Sequence, residues 1–119
     1  MAGLYRDLPT TWGSPTMSPR CGDEVKYDVV GRVVERFQAM HQNEEPLAGH
    51  RIAELTTVNG IRVVTDDGTW GLVRASSNKP ELVVVVESPV SEQRMRDMFH
   101  AVDTILRENS EVGEYNQTI

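Results

Sequence analysis

The sequence predicts an α+β domain in which an antiparallel four-stranded meander carries two helices on one face. Three observations predict it: helical apolar stripes flank a central stretch of strand pattern, two tight-turn dipeptides interrupt that stretch, and no helix fits between its strands. The 119 residues, 39% of them apolar, suffice for one modest core and leave no room for two.

The opening residues form a connecting arm over 1–15. Pro9, Pro15 and Pro19 each remove a backbone donor and push the preceding residue toward extended geometry, so a long helix is excluded and a short strand near Thr16 to Cys21 is expected. Asp23 then offers an oxygen to cap a helix. Val29, Val30, Val33, Phe37 and Met40 recur at steps of three and four, which predicts a helix to about Gln42. The valines suit a strand as well, yet they do not alternate, and periodicity outranks propensity. Asn43 to Gly49, with Pro46, reads as the exit loop.

From His50 the period changes. Arg51 to Val58 reads as a strand, Asn59-Gly60 as a two-residue type I′ turn and Ile61 to Asp66 as the returning strand. Asp67-Gly68 is expected to repeat the device ahead of Thr69 to Ala75. After Ser76 to Pro80 the run Leu82 to Val86 is apolar on both faces, as befits a strand at the heart of the sheet. Ser91 caps the last helix, with Val90 and Met95 placed to form a hydrophobic staple. Met95, Met98, Phe99, Val102, Ile105 and Leu106 make its apolar stripe, while Arg94, Arg96, Asp97, Asp103 and Arg107 are expected to face away. The domain proper is thus 16–109, and 110–119 reads as a flexible tail. A ferredoxin-like sandwich is the nearest rival, but it needs a helix between the second and third core strands, where the tight turns leave no space.

Charge and composition remove several classes of function. Eighteen acidic against twelve basic side chains, a formal charge of −6, provide no broad positive field for nucleic acid or an anionic membrane. The longest apolar run, Leu82 to Val86, falls far short of the about 20 residues that span a bilayer, and Met1 to Gly13 lacks the pattern of a secretory signal. The single cysteine, Cys21, cannot close an intrachain disulfide, which fits a reducing, cytoplasmic setting.

One segment is richer in chemistry than a turn requires. Arg74-Ala75-Ser76-Ser77-Asn78-Lys79-Pro80 gathers a guanidinium, an ammonium, two hydroxyls and an amide between two strong strands. Arginine supplies a planar fork and lysine a point charge, and small side chains leave backbone N–H groups accessible, so the segment suits an oxyanion. The competing reading is an ordinary hairpin loop, since Ser, Asn and Pro are also turn residues. Other candidates are weaker. His41, His50 and His100 lack ligand spacing, Asp66 and Asp67 are explained by an Asp-Gly hairpin, and Cys21 has no sequence-near base. Trp70 beside Gly71, and Met95 with Met98, read as packing residues.

Taken as a block, Asp67-Gly68-Thr69-Trp70-Gly71-Leu72-Val73-Arg74-Ala75-Ser76, followed by the loop and by Glu81 to Ser88, resembles the C-terminal domain of the α-D-phosphohexomutase family, in its phosphomannomutase/phosphoglucomutase branch. The Trp-Gly-Leu-Val-Arg-x-Ser core is specific, and weaker likeness extends over Asp23 to Phe37, Ile52 to Val64 and Ser91 to Leu106. The resemblance implies a TATA-binding-protein-like fold and a four-domain parent enzyme that moves phosphate between C1 and C6 hydroxyls of a hexose phosphate, using a phosphoserine and Mg²⁺. It implies that Arg74 and Ser76 bind the phosphate that is not transferred. Ser77 stands where the family usually has Gly or Asn and Asn78 where it usually has Thr, while Lys79 occupies a variable position and adds a charge.

The family's phosphoserine loop, its Asp-Gly-Asp-x-Asp-Arg metal loop and its sugar-reading segment are absent from these 119 residues. The resemblance therefore implies that Mg²⁺ and the phosphoryl carrier belong to the parent's other three domains, and that this chain alone is inactive. Two alternatives stay open: a non-catalytic interaction domain whose Arg74 to Pro80 loop is only a turn, and a nucleic-acid binder, against which the acidic charge argues.

Overall fold

The computed structural model describes residues 11–119. Strands β1 (Trp12–Gly13), β2 (Ile52–Thr56), β3 (Ile61–Thr65), β4 (Trp70–Ala75) and β5 (Leu82–Ser88) form one sheet of order β1-β5-β4-β3-β2, every neighbouring pair antiparallel. The meander from β2 to β5 is the predicted one, and β1 adds a fifth strand beside β5.

That addition differs from the continuous strand expected at Thr16 to Cys21. Pairing occurs at Trp12 and Gly13 and then only at single bridges, Met17 with Val84 and Arg20 with Glu81. Pro15 and Pro19 have no N–H to offer a ladder, so the edge is broken where they fall. The intervening groups still find partners. Ser14 N donates to Val86 O at 2.9 Å, Val86 N donates to Ser14 Oγ at 3.0 Å, and Leu82 N donates to Pro19 O at 3.0 Å. The arm expected through residue 15 therefore joins the sheet from Trp12 onward, and Met17 is fully buried in the core. Pro9 and the preceding residues lie outside the described part.

The two turns are not equivalent. Asn59 and Gly60 both have positive φ, 55° and 115°, as a type I′ turn demands. At the second turn only Gly68 does, at 88°. Gly68 N donates to Thr65 O at 2.9 Å and Thr65 N to Thr69 O at 2.8 Å, so the connection is a three-residue loop closed by a left-handed glycine. Asp67 explains the change: its Oδ1 accepts from Thr65 Oγ1 at 2.7 Å and Thr69 N at 3.1 Å, which holds the loop in the longer form.

Helix α1 (Lys26–Gln42) buries Val29, Val30, Val33, Phe37 and Met40 as their spacing predicts. Its start departs from expectation. Val25 occupies the cap position without a side-chain bond, and the Asp23 carboxylate instead accepts from Lys26 Nζ at 2.8 Å. Helix α2 (Glu92–Leu106) starts as predicted, with Ser91 Oγ accepting from Arg94 N at 3.1 Å, though Val90 remains half exposed and closes no staple. Arg94, expected to face solvent, is largely buried against the β3–β4 turn, where Nε donates to Asp67 Oδ2 at 2.7 Å.

Both helices cover one face of the sheet. Ile61, Val63, Val73, Val84 and Val86 are buried there and alternate with half-exposed Arg62, Val64, Leu72 and Val85 on the other face. Gly71 lies under α2, where a Cβ would meet Val102 Cγ2 at 3.1 Å and Met98 Cγ at 3.5 Å. The absence of a side chain lets helix and strand approach closely.

The segment read as a flexible tail is also docked. Gly113 N donates to Arg20 O at 2.6 Å, Arg20 N to Glu114 O at 2.9 Å and Ser18 N to Asn116 Oδ1 at 2.9 Å. Tyr115 Oη donates to Asp103 Oδ1 at 2.7 Å and its ring packs edge-on to Phe99. Val112 is buried in the core. Among the described residues no helix is long and apolar enough to cross a membrane.

Candidate anion-binding site

The segment Arg74 to Pro80 links β4 to β5, two strands paired from Trp70–Glu87 to Ala75–Leu82. Beyond that pair Ser76 N donates to Glu81 O at 3.0 Å, closing a loop whose crest is Ser77, Asn78 and Lys79. Ser76 itself is buried, and its hydroxyl donates to Asn78 Oδ1 at 3.3 Å. Two carbonyls at the exit of the loop are occupied: Lys79 O accepts from Glu81 N at 2.8 Å and Pro80 O from Cys21 N at 2.9 Å. The N–H groups of Ser77, Asn78 and Lys79 donate to no acceptor among the described residues, and neither the Ser77 hydroxyl nor the exposed Arg74 side chain has a protein partner there. The Ser77 and Asn78 carbonyls accept from no donor among the described residues either, so the crest offers both kinds of group, and its open donors beside Arg74 are those that suit an oxyanion.

The five predicted residues do not share one concavity. Arg74, Ala75 and Ser77 line a groove of about 560 Å³ together with Tyr27 and Val30 of α1 and the Asn59-Gly60 turn. Lys79 lines a second groove, of about 350 Å³, with Ser18, Arg20, Glu81 and Glu114. Ser76 and Asn78 line neither and bind each other within the loop. The first groove is large enough for a phosphate and the second is mixed in charge.

Two neighbours escaped the sequence reading. Gly60 packs directly on the strand end, where a Cβ would stand 2.3 Å from Val73 O and 2.8 Å from Arg74 Cβ. Its NG turn was legible, but its contact with Arg74 spans 14 positions and has no sequence signal. Lys26 is 4% exposed, and its Nζ donates to Lys79 O at 3.0 Å. A lysine within an otherwise apolar helical stripe was the available hint.

The weaker candidates resolve into structural roles. His50, set aside for want of ligand spacing, lies beside Asp66 and Asp67, the three donor atoms within 4.8 Å of one another. His50 Nδ1 is 2.8 Å from Asp66 Oδ1, and the Arg94 guanidinium pairs with Asp67. Burial would raise the Asp67 carboxyl, but bonds from Arg94, Thr65 and Thr69 hold it well below the usual carboxylate range. An imidazole and a guanidinium-paired aspartate do not suit Mg²⁺, which wants several oxygen ligands. Cys21 is buried, and burial, reinforced by Glu111, pushes its thiol up, away from the reactive thiolate.

A helix-backed antiparallel sheet presenting a donor-rich β4–β5 loop defines the class of protein, and comparison with known proteins supplies the family. Residues 25–105 match the family described as phosphoglucomutase/phosphomannomutase, C-terminal domain. The chain belongs to that family. It is 32% identical over 108 residues to a phosphopentomutase of Thermococcus kodakarensis, covering 90% of this chain and 22% of the relative. It is 33% identical over 98 residues to a phosphomannomutase/phosphoglucomutase of Pseudomonas putida, covering 81% of this chain and 19% of the relative. A crystal structure of a phosphoglucomutase/phosphomannomutase family protein from Burkholderia thailandensis superposes with a TM-score of 0.66 at 17% identity, over 97% of this chain and 21% of that one, and so shares the fold. The chain spans about a fifth of the length of the curated relatives it matches.

Proposed function

We propose that the chain is the domain that grips the non-reacting phosphate of a hexose phosphate in a mutase interconverting the 1- and 6-phosphates. The N–H groups of Ser77, Asn78 and Lys79 and the Arg74 side chain, all without a partner among the described residues, carry the reading. A phosphate dianion would complete donors that the protein leaves open, with Arg74 and Ser77 supplying charge-assisted and hydroxyl bonds, Ser76 and Asn78 shaping the loop, and Lys79 adding attraction from its flank. In the larger enzyme this remote binding energy would orient the sugar so that the reacting hydroxyl meets the phosphoryl carrier, which with Mg²⁺ would reside in the other three domains. The proposed setting is cytoplasmic.

Titration of the labelled chain with inorganic phosphate, followed by amide chemical shifts, tests the reading. Saturable shifts centred on Arg74 to Lys79 are expected. Arg74→Ala should weaken binding roughly 10- to 150-fold, the equivalent of one charge-assisted bond of about 1.5–3 kcal/mol, without moving the thermal midpoint. Absence of shifts in the unmodified chain would refute phosphate binding and leave the loop a turn. Repeating the titration with glucose 6-phosphate and ribose 5-phosphate separates a hexose from a pentose preference.

A further inference from the structure

Lys26 stands at the first turn of α1, where the helix macrodipole disfavours a cation, and it is 4% exposed, where desolvation disfavours one again. An apolar residue would satisfy the helical stripe without either penalty. What the ammonium does there is specific: Nζ donates to Asp23 Oδ1 at 2.8 Å and to Lys79 O at 3.0 Å, and lies 5.4 Å from the centroid of the Tyr27 ring. Asp23 is two-thirds exposed and needs no buried partner. The Lys79 carbonyl is the contact that water does not supply.

We propose that Lys26 is the positioning residue of the anion loop, acting through Lys79 and not on the ligand itself. Together with Glu81 N it holds the Lys79 carbonyl, while Cys21 N holds the adjoining Pro80 carbonyl, so both carbonyls at the exit of the loop are tied down beside the unbonded N–H groups of Ser77, Asn78 and Lys79. A carbonyl turned out among those donors would repel an anion, so fixing this peptide group favours an attractive crest. Lys26 also ties the loop to the wall of the groove, because Tyr27 and Val30 of the same helix line it opposite Arg74. The assignment rests on the anion reading of the loop.

The test compares the unmodified chain with Lys26→Met by inorganic phosphate titration and by amide exchange and chemical shifts without phosphate. The expected result is at least tenfold weaker phosphate binding in Lys26→Met, with faster exchange and displaced shifts confined to Ser76 to Glu81, and β3 and β4 amides unchanged. Equal affinity with an unperturbed loop would overturn the role of Lys26. If the unmodified chain binds no phosphate, the functional reading fails, while the phosphate-free loop signals still report whether Lys26 orders the loop. Should Lys26→Met not fold, the unmodified protein decides: a scalar coupling across the hydrogen bond from Lys26 Nζ to the Lys79 carbonyl carbon supports the proposal, and a rapidly exchanging ammonium without that coupling sinks it.

Discussion

Gly60 and Asp67 show how much a single position governs here. Gly60 has φ of 115° and has no space for a Cβ, which would lie 2.3 Å from Val73 O. Gly60→Ala is therefore expected to lower stability by roughly 1–3 kcal/mol and to displace the Arg74 end of the groove, read as a lower thermal midpoint and shifted Val73 and Arg74 amides. Asp67 acts through charge. Its carboxyl is held below the ordinary 3.8, so the stability it contributes is complete above that value and is lost as pH falls through it toward the folded-state titration. Urea midpoints measured from pH 6 down to pH 2.5 should fall in that acid range. Asp67→Asn should remove this part of the fall and reduce stability near neutrality by roughly 1–3 kcal/mol, because Arg94, 12% exposed and already with Nη2 unpartnered, loses its counter-charge.

At the scale of elements, the edge of the sheet and the end of the chain depend on each other. Residues 113–116 supply acceptors and donors to Ser18 and Arg20, which in turn flank β5 and the Pro80 end of the loop. Truncation after Gly113 should accelerate amide exchange at Ser18 and Arg20 while Met17, whose N–H donates to Val84 O at 2.9 Å, stays protected. The lost Tyr115 packing and its bond to Asp103 should lower stability by roughly 1–3 kcal/mol. Tyr115 is a participant and not a bystander: burial first, and then Asp103, push its phenol well above the usual range, so it stays a donor throughout the working pH.

For the whole molecule, a net charge of −6 means that the anion binding proposed above would have to come from local donors acting against the general field. The 119-residue chain alone is expected to leave glucose 1-phosphate unconverted, since it carries neither a phosphoserine loop nor an aspartate-rich metal loop. Turnover above background that survives repurification and follows the protein through a sizing column would contradict this. The connecting arm expected over 1–15 is pinned to β5 from Trp12 onward.

The sequence by itself determined the two helices, the four meander strands and their order. Apolar spacing placed both helices and the run Leu82 to Val86 placed β5, because burial on one face forces a local period that composition cannot hide. The Asn59-Gly60 turn was equally legible, as two adjacent positive φ angles admit few residues. Arg74, Ser76, Ser77, Asn78 and Lys79 stand together in the sequence, but nothing local separates Arg74 and Ser77, which line one groove, from Lys79, which lines another, or from Ser76 and Asn78, which line neither. Tertiary structure alone decided that division, the docking of the tail on Ser18 to Arg20, the inward turn of Arg94 and the reach of Lys26 to Lys79. The last three are polar contacts across more than 20 positions, made because a buried charge or backbone group must find a partner wherever the fold brings one, and no local pattern encodes which.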